Sequence, residues 1–309
     1  MPNKRDFLSV TDITPDETLD LIKRARETKL TPKDGQQAKP LTGKTVALLF
    51  DKPSLRTKVS FQVGIQELGG YSVFLSNEEV DLGGRETASD VAKVLSGYVD
   101  CIVARLSDHD LLVDLAKHAS VPVVNALSDL EHPCQIMADL LTIYEHKDNL
   151  DGLSLAYVGD GNNVARSLCL ALPAVGMNFT SASPQGYTLD EASVLQARSR
   201  ANGSSVRVRT VTSPEEAVAG ADVVYTDVWA SMGQEDSTAR KSAFDGYTVD
   251  PELMQQANAG ALFMHDMPAR YGEEVPPGML EHPQSVAFLQ AHNRLHAQKT
   301  VLEFLLAGS

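Results

Sequence analysis

The sequence is poor in basic residues and in cysteine, and each shortage excludes a class of function. It has 27 Lys and Arg against 41 Asp and Glu, which gives a formal net charge of −14. This balance leaves no general basic surface for nucleic acid and no polybasic patch for a membrane, so we expect neither partner. Only Cys101, Cys134 and Cys169 are present, without metal-ligand spacing. This number favours a cytoplasmic protein with reduced thiols.

Long hydrophobic runs are also missing. The densest apolar stretch, around 168–177, is shorter than the ~18 residues that a membrane-spanning helix needs. No apolar signal segment follows the first residues. The chain has 309 residues, of which 43% are hydrophobic, and this is enough for about two globular domains.

The sequence does contain a regular alternation of short apolar runs and amphipathic stretches. In the first half the predicted strands cover 45–50, 72–75, 101–106 and 121–127. After a predicted helix, the second half adds strands over 153–158, 179–183, 206–211, 221–227 and 261–264. This pattern predicts an α/β fold with two doubly wound parallel-sheet domains. We expect the domains to be 1–132 and 133–289, a terminal helix at about 290–309 to pack back on the first, and the active site to lie in the cleft between them.

The first predicted strand leads into a helix whose start is rich in groups that bind phosphate. Ser54 is the expected N-cap, and Arg56 and Thr57 follow it in the first turn. Unpaired N–H groups, the helix dipole and a guanidinium together favour an anion. An ordinary capped helix with solvated cations is the alternative for this segment taken alone.

Other polar residues also follow predicted strands. Arg105 ends one strand, and His132 and Gln135 open the next helix, where they offer hydrogen-bond donors and an acceptor. In the second half, the glycines of 159–164 resemble part of a dinucleotide-binding motif, but a third glycine and a ribose-binding acid are missing. A nicotinamide-dependent oxidoreductase is therefore disfavoured. Asn residues there suit a carboxylate or amine, and Asp227 at a strand end suits an ammonium group.

Taken in order, these clusters resemble the aspartate/ornithine carbamoyltransferase family over nearly the whole chain. Residues 54–57 fit its Ser-x-Arg-Thr motif, and residues 132–135 fit its His-Pro-x-Gln motif. Residues 227–233 fit the Asp-x-x-x-Ser-Met-Gly motif of the ornithine branch. The intact Ser-Met-Gly favours an amino-acid acceptor over a simple diamine.

The resemblance implies transfer of a carbamoyl group from carbamoyl phosphate to L-ornithine, giving citrulline and phosphate without a cofactor or a metal. It implies that carbamoyl phosphate is held by Ser54, Leu55, Arg56, Thr57, Arg105, His132, Gln135 and Arg294. It implies that ornithine is held by Asn163, Asp227, Ser231 and Met232. Among these, Arg105, His132 and Asp227 are the expected catalytic residues, together with Asp266. A homo-oligomer is also implied, most often a trimer in which a neighbouring subunit lends the loop that contains Asp81.

Two residues depart from the family pattern. Asp81 stands where the family usually has Gln, and we expect it to repel phosphate unless it pairs, for example with Arg85. Asp266 stands where the ornithine branch has Cys, which puts a second carboxylate beside the substrate ammonium and raises the pKa of that amine. These departures leave two alternatives open, a carbamoyltransferase for a different amine and an inactive member that serves as a binding or structural subunit.

Overall fold

The computed structural model describes residues 4–31, 38–203, 205–230 and 238–306. The chain forms two compact units, residues 1–141 with 293–309, and residues 142–292. The sequence predicted divisions at 132/133 and 289/290, whereas the compact units divide at 141/142 and 292/293, each inside a continuous helix that contributes residues to both units. No helix of the described residues combines the length and the apolar character needed to cross a bilayer.

A parallel sheet forms the centre of the first unit. Its strands are β1 (Thr45–Phe50), β2 (Tyr71–Ser76), β3 (Cys101–Arg105) and β4 (Val123–Leu127). They lie in the order β2-β1-β3-β4, so the chain changes direction across the sheet between β1 and β3. The side chains of β3 are buried on both faces of the sheet, which agrees with the apolar character of its first four residues.

Helices connect these strands. They are α1 (Pro15–Leu30), α2 (Leu55–Glu67), α3 (Asn77–Val80), α4 (Ala88–Ser96) and α5 (His109–His118). Two longer helices, α6 (Pro133–Lys147) and α12 (Ala287–Leu306), each contain one of the points at which the two units divide. In α12, the residues from Asn293 onward belong to the first unit.

The second unit has a five-stranded parallel sheet. Its strands are β5 (Ser154–Val158), β6 (Asn178–Ala182), β7 (Val208–Val211), β8 (Val223–Thr226) and β9 (Leu262–His265), in the order β7-β6-β5-β8-β9. Its helices are α7 (Asn163–Ala171), α8 (Glu191–Ser199), α9 (Pro214–Val218), α10 (Thr238–Ala243) and α11 (Pro251–Met254). The change of direction falls between β5 and β8.

The predicted fold of two parallel-sheet α/β domains is confirmed. The helices α3, α9, α10 and α11 were not predicted. Each has six residues or fewer, and a hydrophobic period of 3.6 cannot be recognised over so short a segment. Three of these four helices begin in a recognisable way, with a capping side chain or box from Ser76, Ser213 or Asp250.

Candidate functional site

The strand order explains why polar residues that are far apart in sequence come together. In the first unit β1, β3 and β4 are neighbours, and their carboxyl ends lead to α2, to Arg105 and to the loop before α6. In the second unit β5, β8 and β9 are neighbours, and their carboxyl ends lead to residues 159–163, to Asp227 and to Asp266. Parallel sheets bind ligands at this edge, above all where the strand order reverses.

The start of α2 differs in one respect from the prediction. Ser54 occupies the N-cap position, but its side chain accepts no hydrogen bond from the first turn, so the predicted side-chain cap is absent. Leu55 is exposed, and Thr57 is fully buried. The hydroxyl of Ser54 is therefore not engaged in capping, in a helix of 13 residues whose dipole favours an anion at this end.

Thr57 receives hydrogen bonds from two arginines. Arg294 Nη2 donates to its hydroxyl oxygen over 2.7 Å, and Arg105 Nη1 donates over 3.4 Å. Both guanidinium groups are almost fully buried. A hydroxyl that accepts from two cations still has its own hydrogen to donate, and this hydrogen is more strongly polarised than in a neutral setting.

His132 lies in the field of the same cations. Its side chain is buried, and desolvation lowers its pKa well below 6.5, with smaller contributions from the charges of Arg294, Arg105 and Arg56. The imidazole is thus neutral at pH 7 and can donate one N–H while the arginines supply the positive charge. A locally cationic site therefore exists in a chain whose net charge is −14.

The loop that carries His132 is held by the N-terminal segment of the chain. Asn125 Nδ2 donates to the carbonyl oxygen of Leu8 over 2.9 Å. The buried carboxylate of Glu131 accepts from the hydroxyl of Ser9 over 2.8 Å and from the N–H of Val10 over 3.2 Å. These contacts fix the residue directly before His132, and sequence reasoning did not identify them.

Asp81 does not pair with the Arg85 guanidinium, the example of a partner that the sequence suggested. It is exposed and in a left-handed conformation with φ of 50°, and its Oδ2 accepts from the backbone N–H of Arg85 over 3.0 Å. The guanidinium of Arg85 donates instead to the carbonyl oxygen of Glu79 over 2.9 Å. The carboxylate of Asp81 thus holds its own loop in shape.

In the second unit, Asn162 holds Asp227. Asn162 Nδ2 donates to Asp227 Oδ2 over 2.7 Å, and Oδ1 of Asn162 caps α7 by accepting from the N–H groups of Val164 and Ala165. The other oxygen of Asp227 accepts from the N–H of Val228 over 2.6 Å. Because both ends of the Asn162 amide are used, the Asp227 carboxylate has a fixed orientation at the end of β8.

A largely buried ion pair links the loop after β5 to α10. Asp160 pairs with Arg240, whose Nε also donates to the carbonyl oxygen of Trp229 over 2.5 Å. Desolvation raises the pKa of Asp160 to about 6, and Asp227 adds to the rise, whereas Arg240 opposes it. Asp160 therefore titrates in the mildly acidic range although it has a cationic partner.

Three side chains lie close enough together to be considered as a metal site. The possible ligand atoms of His265, Asp227 and Asp266 are within 4.8 Å of one another. The ring of His265 is already engaged, because Nδ1 accepts from the N–H of Met267 over 2.9 Å and Nε2 lies 3.1 Å from Oε1 of buried Glu274. Both oxygens of Asp227 also accept hydrogen bonds. The group is better suited to an ammonium ion, which needs acceptors and no strict coordination geometry.

Two of the remaining predicted site residues, Gln135 and Asn163, lie near the starts of helices α6 and α7. Gln135 is buried and its Nε2 donates to Asp139 Oδ1 over 2.8 Å. Asn163 is half-buried in the first turn of α7. Ser231 and Met232 lie outside the described residues.

Family models match both units. Residues 5–145 match the model described as aspartate/ornithine carbamoyltransferase, carbamoyl-P binding domain, and residues 151–305 match the Asp/Orn binding domain of the same family. The chain belongs to the aspartate/ornithine carbamoyltransferase family. It is 51% identical to an ornithine carbamoyltransferase of Acidothermus cellulolyticus, over 98% of this chain and 96% of that protein. It is 48% identical to that of Anoxybacillus flavithermus, with the same coverage.

Solved structures of this family agree with the sequence relatives. The ornithine carbamoyltransferase of Pyrococcus furiosus superposes with a TM-score of 0.95 at 44% identity, covering 99% of this chain and 98% of that one. The resemblance inferred from three short motifs is therefore confirmed at full length.

Sequence reasoning missed the residues that hold the predicted ones in place. Asp139 is four residues after Gln135 on one helix face, a spacing that could have identified it. Arg240, Glu274 and Asn125 have no such local signal, because their partners Asp160, His265 and Leu8 are distant in sequence or in an irregular loop.

Proposed function

We propose that this chain transfers the carbamoyl group of carbamoyl phosphate to the side-chain amine of L-ornithine. The amine nitrogen attacks the carbamoyl carbon, the bond from that carbon to the phosphate oxygen breaks, and the nitrogen loses a proton, which gives L-citrulline and phosphate. The observation that carries the proposal is the neutral, buried His132 in the field of Arg56, Arg105 and Arg294, within a chain of this family.

Each group has a role that follows from its chemistry. The start of α2, with Ser54, the backbone of Leu55 and Arg56, would bind the phosphate. Arg105, His132 and the Thr57 hydroxyl would donate to the carbonyl oxygen as negative charge develops on it, with Arg294 behind Thr57. Catalysis by position and charge requires no cofactor.

The acceptor half of the reaction would use the second unit. Asp227, held by Asn162, and Asp266 present carboxylates to an ammonium ion, while Asn163, Ser231 and Met232 would bind the amino-acid end of ornithine. The alternative of a different amine, raised by Asp266, is not favoured, because the relatives named above carry the ornithine name.

An amine panel tests this proposal directly. The protein is incubated with carbamoyl phosphate and ornithine, lysine, diaminobutyrate or putrescine, and phosphate release and ureido product are both measured. We expect ornithine to have the highest kcat/KM. Arg56→Ala should lose several kcal/mol of transition-state stabilisation, with Arg56→Lys as the charge-preserving control. Near-normal activity of Arg56→Ala would contradict the phosphate site.

We further propose a homotrimer in which each active site receives Asp81 and Arg85 from a neighbouring subunit. One face of α2 exposes Leu55, Val59 and Val63 at helical spacing, and the edge strand β2 exposes Tyr71 and Val73. Large uncovered apolar surfaces of this kind are typical of interfaces between subunits.

Two measurements test the shared site. Sedimentation should give a trimer, and an active monomer would refute it. Mixing Arg56→Ala subunits with Arg85→Ala subunits should restore activity, because some mixed interfaces contain both lesions and others contain neither. A cytoplasmic location is proposed as well, supported by three buried free cysteines.

A further inference from the structure

Gln135 and Asp139 form a buried pair on one face of α6. Gln135 is 1% exposed and Asp139 is 0% exposed, and Gln135 Nε2 donates to Asp139 Oδ1 over 2.8 Å. In this bond the carboxyl oxygen of Asp139 is the acceptor and the amide NH2 of Gln135 is the donor. The amide of Gln135 therefore turns its NH2 group towards Asp139 and its carbonyl oxygen away from it.

The carbonyl oxygen of Gln135 is a buried acceptor that receives no hydrogen bond from the described residues. Oε1 has no hydrogen-bond partner among residues 4–31, 38–203, 205–230 and 238–306. A buried acceptor left unpaired costs about 1–3 kcal/mol, so such an atom in a native protein calls for an explanation, of which a ligand is one.

The position of Gln135 indicates which ligand this is. Its backbone N–H donates to the carbonyl oxygen of His132 over 3.0 Å, one turn from the imidazole that lies in the field of Arg56, Arg105 and Arg294. Those groups suit the phosphate and the carbonyl oxygen of an acyl phosphate. The atom still without a partner on a carbamoyl group is its NH2, which is a donor.

We propose that Asp139 is a positioning residue that sets the enzyme's preference for an acyl phosphate with an NH2 group on the acyl carbon. It does so by fixing the amide of Gln135, so that Oε1 and not Nε2 meets the ligand. This inference rests on the proposed function and adds a residue to it. An acyl phosphate with a methyl group at that place, such as acetyl phosphate, leaves Oε1 unpaired and binds less tightly.

The test compares three ligands in binding experiments without ornithine: carbamoyl phosphate, acetyl phosphate and inorganic phosphate. Asp139→Asn has almost the same shape, but its amide can offer either an oxygen or an NH2 group, so Gln135 can turn over. We expect the ratio of the Kd for acetyl phosphate to that for carbamoyl phosphate to fall about tenfold. The Kd for inorganic phosphate should stay within about twofold of the wild-type value, since the phosphate contacts are elsewhere.

Gln135→Met is the matched variant, because it keeps the length of the side chain and removes the acceptor. It should lower the same ratio, and Asp139→Asn in the Gln135→Met background should lower it no further. Asp139→Ser, whose hydroxyl can also donate or accept, replaces Asp139→Asn if that variant does not fold, with the same expectation.

Two results would overturn the proposal. One is an Asp139 variant that weakens all three ligands equally, as expected of a merely structural residue. The other is an unchanged ratio in Gln135→Met. Failure of the proposed function is a separate observation, namely a wild-type protein that binds carbamoyl phosphate in preference to acetyl phosphate but forms no citrulline from ornithine.

Discussion

Arg294 of α12 donates a hydrogen bond of 2.7 Å to the hydroxyl of Thr57 in α2, across 237 residues of sequence. The contact brings the last helix to the start of α2 within the first unit. It lets one buried guanidinium act on the same hydroxyl as Arg105. The proposed carbamoyl-phosphate site therefore depends on α12, which has 20 residues.

Arg294→Met should weaken carbamoyl phosphate specifically. Loss of a charged hydrogen bond at this place should raise the KM for carbamoyl phosphate about 10- to 100-fold, while the KM for ornithine changes by less than about twofold. Steady-state kinetics with each substrate varied in turn will measure both. Arg24→Met is the control, since Arg24 pairs with Glu303 of the same helix at an exposed position. Equal effects of Arg294→Met on the two KM values would contradict the assignment.

Asn162 should matter for the acceptor amino acid and not for carbamoyl phosphate. Asn162→Asp keeps the oxygen that caps α7 but replaces the donor to Asp227 with a second carboxylate oxygen, at a place where the two atoms are 2.7 Å apart. The repulsion should displace Asp227 and lower kcat/KM for ornithine by about 10- to 100-fold.

Ser213→Ala serves as the comparison for a capping defect alone. Ser213 caps α9 by accepting from the N–H of Glu216 over 3.0 Å, so its loss should cost about 1 kcal/mol of unfolding free energy and leave kinetics unchanged. If Asn162→Asp behaves like Ser213→Ala, with lower stability but normal kcat/KM, then Asn162 does not orient Asp227.

The strands and long helices could be predicted because hydrophobic periodicity is a local signal. The strand Thr45–Phe50 has the predicted bounds, and α12 begins at Ala287, three residues before the predicted start at about 290. The side-chain cap of Ser54 failed because a good N-cap residue type does not ensure the rotamer that accepts the bond. The pairing of Asp81 with Arg85 that the sequence suggested is absent, because a backbone N–H of the tight loop takes the carboxylate oxygen instead of the guanidinium.

Contacts between distant parts of the chain could not be predicted, because nothing in the local sequence specifies them. The pairing of Asp160 with Arg240 spans 80 residues, and the buried state of Asp160 follows only from the packing of the loop. The family resemblance pointed to both Arg294 and Thr57 as site residues, whereas the hydrogen bond between them is known only from the structure.

Asp160 should make stability depend on pH in an unusual direction. Its pKa is raised from 3.8 to about 6 in the folded protein, so between these values the folded state holds a proton that the unfolded state has lost. The contribution of Asp160 to the unfolding free energy therefore decreases as pH rises from about 4 to 6, and is level above that range. The full effect is of the order of 3 kcal/mol.

Asp160→Asn removes this titration. It also removes the charge that pairs with Arg240, but that loss lowers stability without adding a pH dependence in this range. Denaturant unfolding at pH 4.5 and at pH 7 should show that the wild-type protein loses more stability, or gains less, than the variant between the two values. Asp190→Asn is a suitable control, because Asp190 is an exposed acid. Desolvation acts to raise its pKa, but the hydrogen bonds that it accepts from Ser193 lower the pKa overall. Parallel pH profiles for wild type and Asp160→Asn would show that Asp160 titrates normally.

Asp266 should shift the activity profile to alkaline pH. It lies beside Asp227, with oxygens of the two carboxylates within 4.8 Å, and both would face the side-chain ammonium of ornithine. Two negative charges favour the protonated amine, and only the free amine can attack the carbamoyl carbon. The pH optimum of the wild-type protein should therefore lie above that of Asp266→Cys, which restores the residue usual in the ornithine branch.

The effect of Asp266→Cys on the rate of carbamoyl transfer depends on which amine accepts the carbamoyl group. If ornithine is the acceptor, the variant should keep or raise activity at neutral pH, because less of the bound amine is protonated. Asp266→Asn separates charge from size, since it removes the carboxylate and keeps the shape of the side chain, and its optimum should also move to lower pH. The decisive quantity is the kcat/KM ratio for ornithine against other diamino acids in the wild type and both variants. A wild-type protein inert to ornithine but active on another amino acid would overturn the acceptor. It would leave the carbamoyl-transfer chemistry in place, because the residues proposed to bind phosphate do not include Asp266.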